Sequence, residues 1–190
     1  MRKLKLQIQI TIDGFVAGPN GELDWQWLPA ERDEAMWQKV IEMAESSDTI
    51  LLGRKMTRVF IDHWENMLDN EPGNPAHPLA KLMVNLRKIA FSSTETAITG
   101  RNLEVENGDL VTVVNALKKQ PGKDIIVYGG ADFVSSLISG NLIDEYHLVR
   151  NPVAIGSGLS IFKERKILKL ESSIAYKNGK VWNKYLPVQA

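Results

Sequence analysis

An α/β fold, a three-layer sandwich built on a mainly parallel central sheet with an antiparallel edge hairpin at the C-terminal end, is predicted by three observations. Strand-like apolar runs alternate with helix-period segments through most of the 190 residues. Several of these runs end in glycine or small hydroxyl residues just before a helical pattern begins. Finally, Asn178-Gly179 sits between two strand-like runs near the end of the chain, the strongest short-range hairpin signal.

The elements follow in order. Leu4, Leu6, Ile8, Ile10 and Ile12 alternate with polar residues, the period of a strand with one buried face. "DGFVAGPNGELDW" then reads as a long loop. From Glu31 to Glu45 the apolar positions recur at three- and four-residue spacing, so an amphipathic helix is expected, with Pro29 just before it. Thr49 to Leu52 is a short strand closed by Gly53. A short helix is expected from Thr57 to Trp64, then a turn-rich excursion, then a helix carrying Leu79, Leu82, Met83 and Leu86. "KIAFSST" and Leu103 to Glu106 read as strands, and Asp109 can cap a helix whose face is Leu110, Val113, Val114 and Leu117. "DIIVY", "ADFVSSLIS" and "IDEYHLVR" read as strand, helix and strand. No linker or internal repeat interrupts residues 1–190, which are expected to form a single domain.

Composition narrows the function. Basic and acidic side chains balance at 23 each, so no nucleic-acid or anionic membrane partner is expected. With no cysteine, thiolate chemistry and disulfides are excluded. Three scattered histidines lack metal-ligand spacing, so no metal site is expected. The N-terminus alternates rather than forming a signal-peptide core, and no apolar run approaches the ~20 residues of a membrane span. A soluble, cytoplasmic protein acting on a small molecule is the expectation.

In parallel sheets ligands bind beyond the carboxyl ends of the strands. The junctions there are Asp13 to Trp25, Gly53-Arg54-Lys55-Met56-Thr57, Ser92-Ser93-Thr94 and Gly129-Gly130-Ala131. Each alone also reads as an ordinary turn, a solvated charge pair or loop chemistry. Together they supply glycines, helix-start N–H groups, two cations and hydroxyls, which is what a dinucleotide phosphate requires. The G-x-G-x-x-G fingerprint is absent.

"ITIDGFVAGPNGELDW", "ILLGRKMTRVF", "IAFSST", "IIVYGGADFVSSLI" and "LIDEYHLVRNPVAIGSGLSIF", in this order, resemble the dihydrofolate reductase-like superfamily. The resemblance is to the branch holding the reductase domain of bifunctional riboflavin-biosynthesis enzymes and its stand-alone bacterial relatives. It implies an NADPH-dependent reductase of a pyrimidine- or pterin-like heterocycle, in the manner of 5-amino-6-(5-phosphoribosylamino)uracil reductase or dihydrofolate reductase. By that similarity Val16 and Ala17 contact the nicotinamide side, while Gly53, Arg54, Lys55 and Thr57 hold the phosphates. Ser92, Ser93 and Thr94 lie beneath the adenosine ribose, and Gly129, Gly130, Ala131, Asp132 and Phe133 lie over the pyrophosphate. Arg54 and Lys55 favour NADP over NAD. The resemblance also implies a homodimer through the terminal strands that carry Val181, Trp182, Tyr185 and Leu186.

Hydride transfer needs a proton donor, and the candidates are Asp24, Glu31 and Tyr128, with a cap, a helix-start charge or simple filling as their structural alternatives. Trp25 is a candidate wall for a flat substrate; Trp37, at helical spacing, reads as packing. The other reading of the whole chain is a non-catalytic NADP(H)-binding module that has lost its proton donor.

Overall fold

A computed structural model describes residues 1–28 and 31–188. The strands are β1 (Leu4–Ile10), β2 (Ser47–Gly53), β3 (Arg87–Phe91), β4 (Leu103–Glu106), β5 (Asp124–Val127), β6 (Glu145–Arg150), β7 (Leu168–Ala175) and β8 (Val181–Pro187). The helices are α1 (Glu34–Glu45), α2 (Arg54–Asn70), α3 (His77–Asn85), α4 (Leu110–Lys119) and α5 (Ala131–Ser139), with a 3-10 turn at Asp24–Trp27. The strands form one sheet in the order β4-β3-β2-β5-β1-β6-β8-β7. Pairings from β4 to β6 are parallel, and β8 pairs antiparallel with both β6 and β7. The expected α/β sandwich with its antiparallel edge is therefore the fold.

Pleating divides the sheet into two faces. On one, Leu4, Leu6, Ile8 and Ile10 join Leu51, Ile89, Ile125, Val127 and Leu148, covered by Val114 and Leu117 of α4 and Val134 and Leu137 of α5. On the other, Ile50, Leu52, Ile126 and Val149 meet Met43 and Ala44 of α1, Phe60 and Ile61 of α2, and Leu79 and Met83 of α3. No helix among the described residues is long and apolar enough to cross a membrane.

Three expectations are corrected. The polar face of β1 does not meet solvent: Lys5, Gln7 and Thr11 are buried, because parallel strands in the middle of a sandwich are covered on both sides. Helix α1 begins at Glu34 rather than Glu31, where Asp33 caps it by accepting from the Met36 N–H at 3.0 Å; Pro29 lies outside the described residues. Helix α2 is longer than expected at both ends. It starts directly after Gly53 and runs past Met67, which extends the buried stripe of Thr57, Phe60 and Ile61. Trp182 of β8, next to the edge, lies inside the second core, and the outer strand is β7, with Leu170 and Ile174 exposed.

Candidate functional site

At the carboxyl ends of the adjacent strands β2 and β5, two helices start in the same unusual way. Asp33 caps α1 and Asp109 caps α4, each accepting a backbone N–H. Helices α2 and α5 begin instead at Gly53 and Gly130, with no side-chain cap. Their first-turn N–H groups, at the positive ends of the helix dipoles, are thus left to something other than a side-chain cap. Helix α3 also lacks a cap, but proline occupies its first turn.

The glycines there have separate reasons. A Cβ on Gly53 would lie 2.6 Å from the Phe133 Cβ, so the start of α5 packs onto the start of α2 and admits no side chain. Gly130 has φ +84°, which other residues rarely adopt. A Cβ on Gly129 would meet the Met56 sulfur at 3.4 Å, with the Met56 methyl and Ile8 slightly farther off. Ala131 opens α5 beside them.

Around these starts, cations are already matched by acids. Arg58 and Arg54, one turn apart on α2, converge on Glu95 at 2.9 and 3.6 Å. Lys55 meets Asp132 at 3.1 Å, with both side chains exposed. Thr57 is fully buried, and its hydroxyl donates to the Gly53 carbonyl at 3.1 Å, so it fixes the helix start from within. The Ser92 hydroxyl accepts the Thr94 and Glu95 N–H groups at 3.2 and 2.8 Å, while Ser93 and Thr94 are exposed. Asn107 fastens this loop by donating to the carbonyls of Ser92 and Glu95.

The first loop is held at two points. Ala17 bridges to Leu159, and Val16 and Ala17 are buried. The Asp13 carboxylate accepts the N–H groups of Ile155 and Gly156 at 3.0 and 2.8 Å, and with the Thr11 hydroxyl these bonds hold it below the usual carboxylate range. Farther along, Trp25 is buried, and its indole N–H has no partner among the described residues. Asp24 and Glu31, two of the sequence-predicted proton donors, are both exposed.

The third, Tyr128, stacks on Phe60 with ring centroids 6.3 Å apart and packs into the core beneath α1 and α2. Its hydroxyl is buried with no partner among the described residues, and burial pushes the phenol far above its ordinary range, so it stays protonated. Along the same face runs a polar band. His147 Nδ1 accepts from the Trp182 indole at 3.2 Å, which puts the ring proton on Nε2, 3.1 Å from Glu145. Burial lowers the His147 pKa against the pull of that carboxylate. Burial alone would raise Glu145, but Lys3, His147 and Lys184 hold it down at about 2.

Lys180, just after the Asn178-Gly179 turn, is buried too, with its Nζ 3.1 Å from the Gln9 side-chain oxygen and 2.9 Å from the Gln26 carbonyl. Sequence reasoning missed Lys180, Gln9, Arg58, Glu95 and Asn107; only Arg58, four residues after Arg54 on an amphipathic helix, carried a local signal. A hollow of about 270 Å³ lined by Arg87, Ile89, Glu104, Thr112 and Leu117 lies at the β3–β4 edge and contains none of the residues expected to act.

The model of the RibD C-terminal domain family matches residues 2–182. The uncharacterized protein YyaP of Bacillus subtilis is 34% identical over 191 aligned residues, covering 96% of each chain. The fold is shared with a Thermotoga maritima diaminohydroxyphosphoribosylaminopyrimidine deaminase/5-amino-6-(5-phosphoribosylamino)uracil reductase, at TM-score 0.64 and 17% identity, over 98% of this chain and 57% of that one. It is shared as well with Enterococcus faecalis dihydrofolate reductase complexed with NADP(H), at TM-score 0.63 and 13% identity, over 98% and 97%.

Proposed function

Because the chain belongs to the RibD C-terminal domain family, a reductase-type enzyme family, we propose that it is an NADPH-dependent reductase of a small pyrimidine- or pterin-like heterocycle. The observation that carries this reading is the pair of side-chain-uncapped helix starts at Gly53 and Gly130, joined through Phe133 at the ends of neighbouring strands. Such a pair suits the pyrophosphate of a dinucleotide, since backbone N–H groups and two helix dipoles converge without a competing side chain. The residues that would hold the cofactor are Gly129 to Phe133 over the pyrophosphate, Arg54 and Arg58 with Ser93 and Thr94 near the adenosine end, and Val16 and Ala17 at the nicotinamide end. When bound, NADPH supplies the hydride.

The chain itself must exclude water and provide a proton. Tyr128 directly follows β5, beside the glycine pair, with its phenol protonated, so it is the preferred donor of a hydrogen bond to the substrate. Asp24 and Glu31, exposed, are less suited to that role. Their exposure favours one competing reading, the NADP(H)-binding module without catalysis. The outer strand β7, with Leu170 and Ile174 uncovered, supports a homodimer formed by covering that edge.

Titration with NADPH and NADH, followed by tryptophan quenching, tests the cofactor. Saturable NADPH binding is expected; no binding of either removes both readings. Oxidation of NADPH, followed at ~340 nm across pterins and pyrimidinones, separates reductase from binder. Sedimentation at micromolar concentration is expected to give twice the chain mass of 21.3 kDa; the chain mass alone removes the dimer.

A further inference from the structure

Five cationic side chains are buried among the described residues: Arg2, Lys5, Lys88, Lys118 and Lys180. Removing a charge from water is tolerated when ionic or several polar partners replace the lost hydration. Four of the five have them. Arg2 pairs with Asp48, Lys5 with Asp124 at 2.7 Å, and Lys118 with Asp144 at 2.7 Å. Lys88 spends all three N–H bonds on the carbonyls of Met83, Val84 and Leu86, at the negative end of α3.

Lys180 is the exception. It has two neutral acceptors, meets no carboxylate among the described residues, and keeps one N–H without an acceptor there. Burial draws its ammonium below the ordinary lysine range with nothing opposing it.

Its place in the fold is equally pointed. Val181 is paired with Arg150 at the carboxyl end of β6, so Lys180 lies level with that end and reaches across β6 to Gln9 of β1. The ammonium is held between the sheet and the 3-10 turn of the first loop, through the Gln26 carbonyl. Gln9 lies three residues beyond the last β1–β5 pair, Leu6 with Val127, toward the Gly129-Gly130 turn. The residue before Gln26, Trp25, also carries a buried donor with no partner among the described residues. The Lys180 ammonium thus stands at the strand ends with one N–H that calls for an acceptor.

We propose that Lys180 is a substrate-anchoring residue, and that the substrate is an acid: a planar heterocycle bearing a carboxylate that completes the hydrogen bonding of Lys180. This rests on the reductase reading for calling the ligand a substrate, though the anion site itself does not depend on it. Neutral heterocycles of the same shape leave Lys180 uncompensated and bind less well.

The test uses the full chain and matched probes: orotate against uracil, pterin-6-carboxylate against pterin, and pyrazine-2-carboxylate against pyrazinamide. Dissociation constants come from thermal shift and tryptophan quenching, with and without NADPH. At least one acid is expected to bind about tenfold or more tighter than its neutral partner. Lys180→Met is expected to erase that preference while melting, without ligand, at or above the wild-type temperature. A structural strut would instead melt lower. Lys180→Arg, which keeps the charge, is expected to retain part of the preference, and it serves if the methionine variant does not fold. The proposal is overturned if no acid is preferred by the wild type, if the preference survives in Lys180→Met, or if Lys180→Met folds but melts well below wild type. Acid preference without NADPH binding would sink the reductase reading alone, and NADPH binding without acid preference would sink the anchor alone.

Discussion

The two faces of the same strands have been put to different uses. Toward α4 and α5, β1 presents Leu4, Leu6, Ile8 and Ile10, and the neighbouring strands continue the surface with Leu51, Ile125, Val127 and Leu148. Toward α1, α2 and α3, β1 presents Lys5, Gln7 and Gln9, and β6 adds Glu145 and His147. The first face gains from burial directly, at about 25 cal/mol per Å² of apolar surface. The second gains less, since each buried polar group must recover in hydrogen bonds what it lost in hydration. The difference teaches where to look for chemistry: β2 and β5 turn apolar side chains to both faces, while β1 and β6 turn polar groups toward α1, α2 and α3, and those two strands can carry groups that serve a ligand. The apolar face has one exception, the unpartnered hydroxyl of Tyr146, which stacks on Phe162.

Truncation on the apolar face should have the largest effect on stability. Leu6→Ala, at a fully buried position, is expected to lower unfolding free energy by about 2–5 kcal/mol in denaturant titration. A loss below about 1 kcal/mol would mean that this face is not the principal support.

Next comes Glu145 on the polar face. Its folded pKa, about 2, lies below the ordinary 4.5, so its contribution is present above pH 4.5 and is lost as the pH falls toward 2. Because Lys3 is half exposed and solvent screens the pairing, the contribution is at most roughly 2 kcal/mol. Glu145→Gln should remove that much at neutral pH and flatten the acid limb of the stability curve. An unchanged acid limb would show that other carboxylates govern it.

Tyr128→Phe and Tyr146→Phe compare the faces most directly, because each removes a buried hydroxyl that has no partner. Both variants should be as stable as wild type, or more so by up to about 1 kcal/mol. Only Tyr128→Phe is expected to reduce turnover or substrate affinity; equal turnover in both would return Tyr128 to packing.

The smallest change in stability is expected at the strand ends. Glu95→Gln breaks an exposed pairing with Arg54 and Arg58 and should change stability by less than about 0.5 kcal/mol. With the arginines released, NADPH should bind several-fold tighter while NADH is unchanged. A parallel change in both would place the 2′-phosphate away from this pair.

The strands, the helices and the hairpin were legible because periodicity and turn chemistry are local. The glycine-started junctions were legible for the same reason. What escaped was set by distant partners. The alternation in β1 reads as an exposed polar side until Lys5 finds Asp124 and Gln9 finds Lys180. Lys180 itself looks like an ordinary turn lysine, since the groups that surround it come from β1 and the first loop. Gly-Arg-Lys after β2 resembles a solvated turn, which hid the true start of α2 and the fact that Arg54 and Arg58 share Glu95. The capping role of Asp33 was masked by the acids and the proline around it.

The contact between Gly53 and Phe133 has a consequence for how such chains diverge. With only 2.6 Å between the Phe133 Cβ and the point where a Cβ on residue 53 would stand, no side chain can be added at 53 alone. Among relatives, a side chain at 53 should appear only where α5 has retreated or where 133 has become glycine, since every other residue keeps that Cβ. The two positions, far apart in the chain, are therefore expected to vary as a pair, and a departure from glycine at 53 would mark a lineage that has rebuilt both helix starts together.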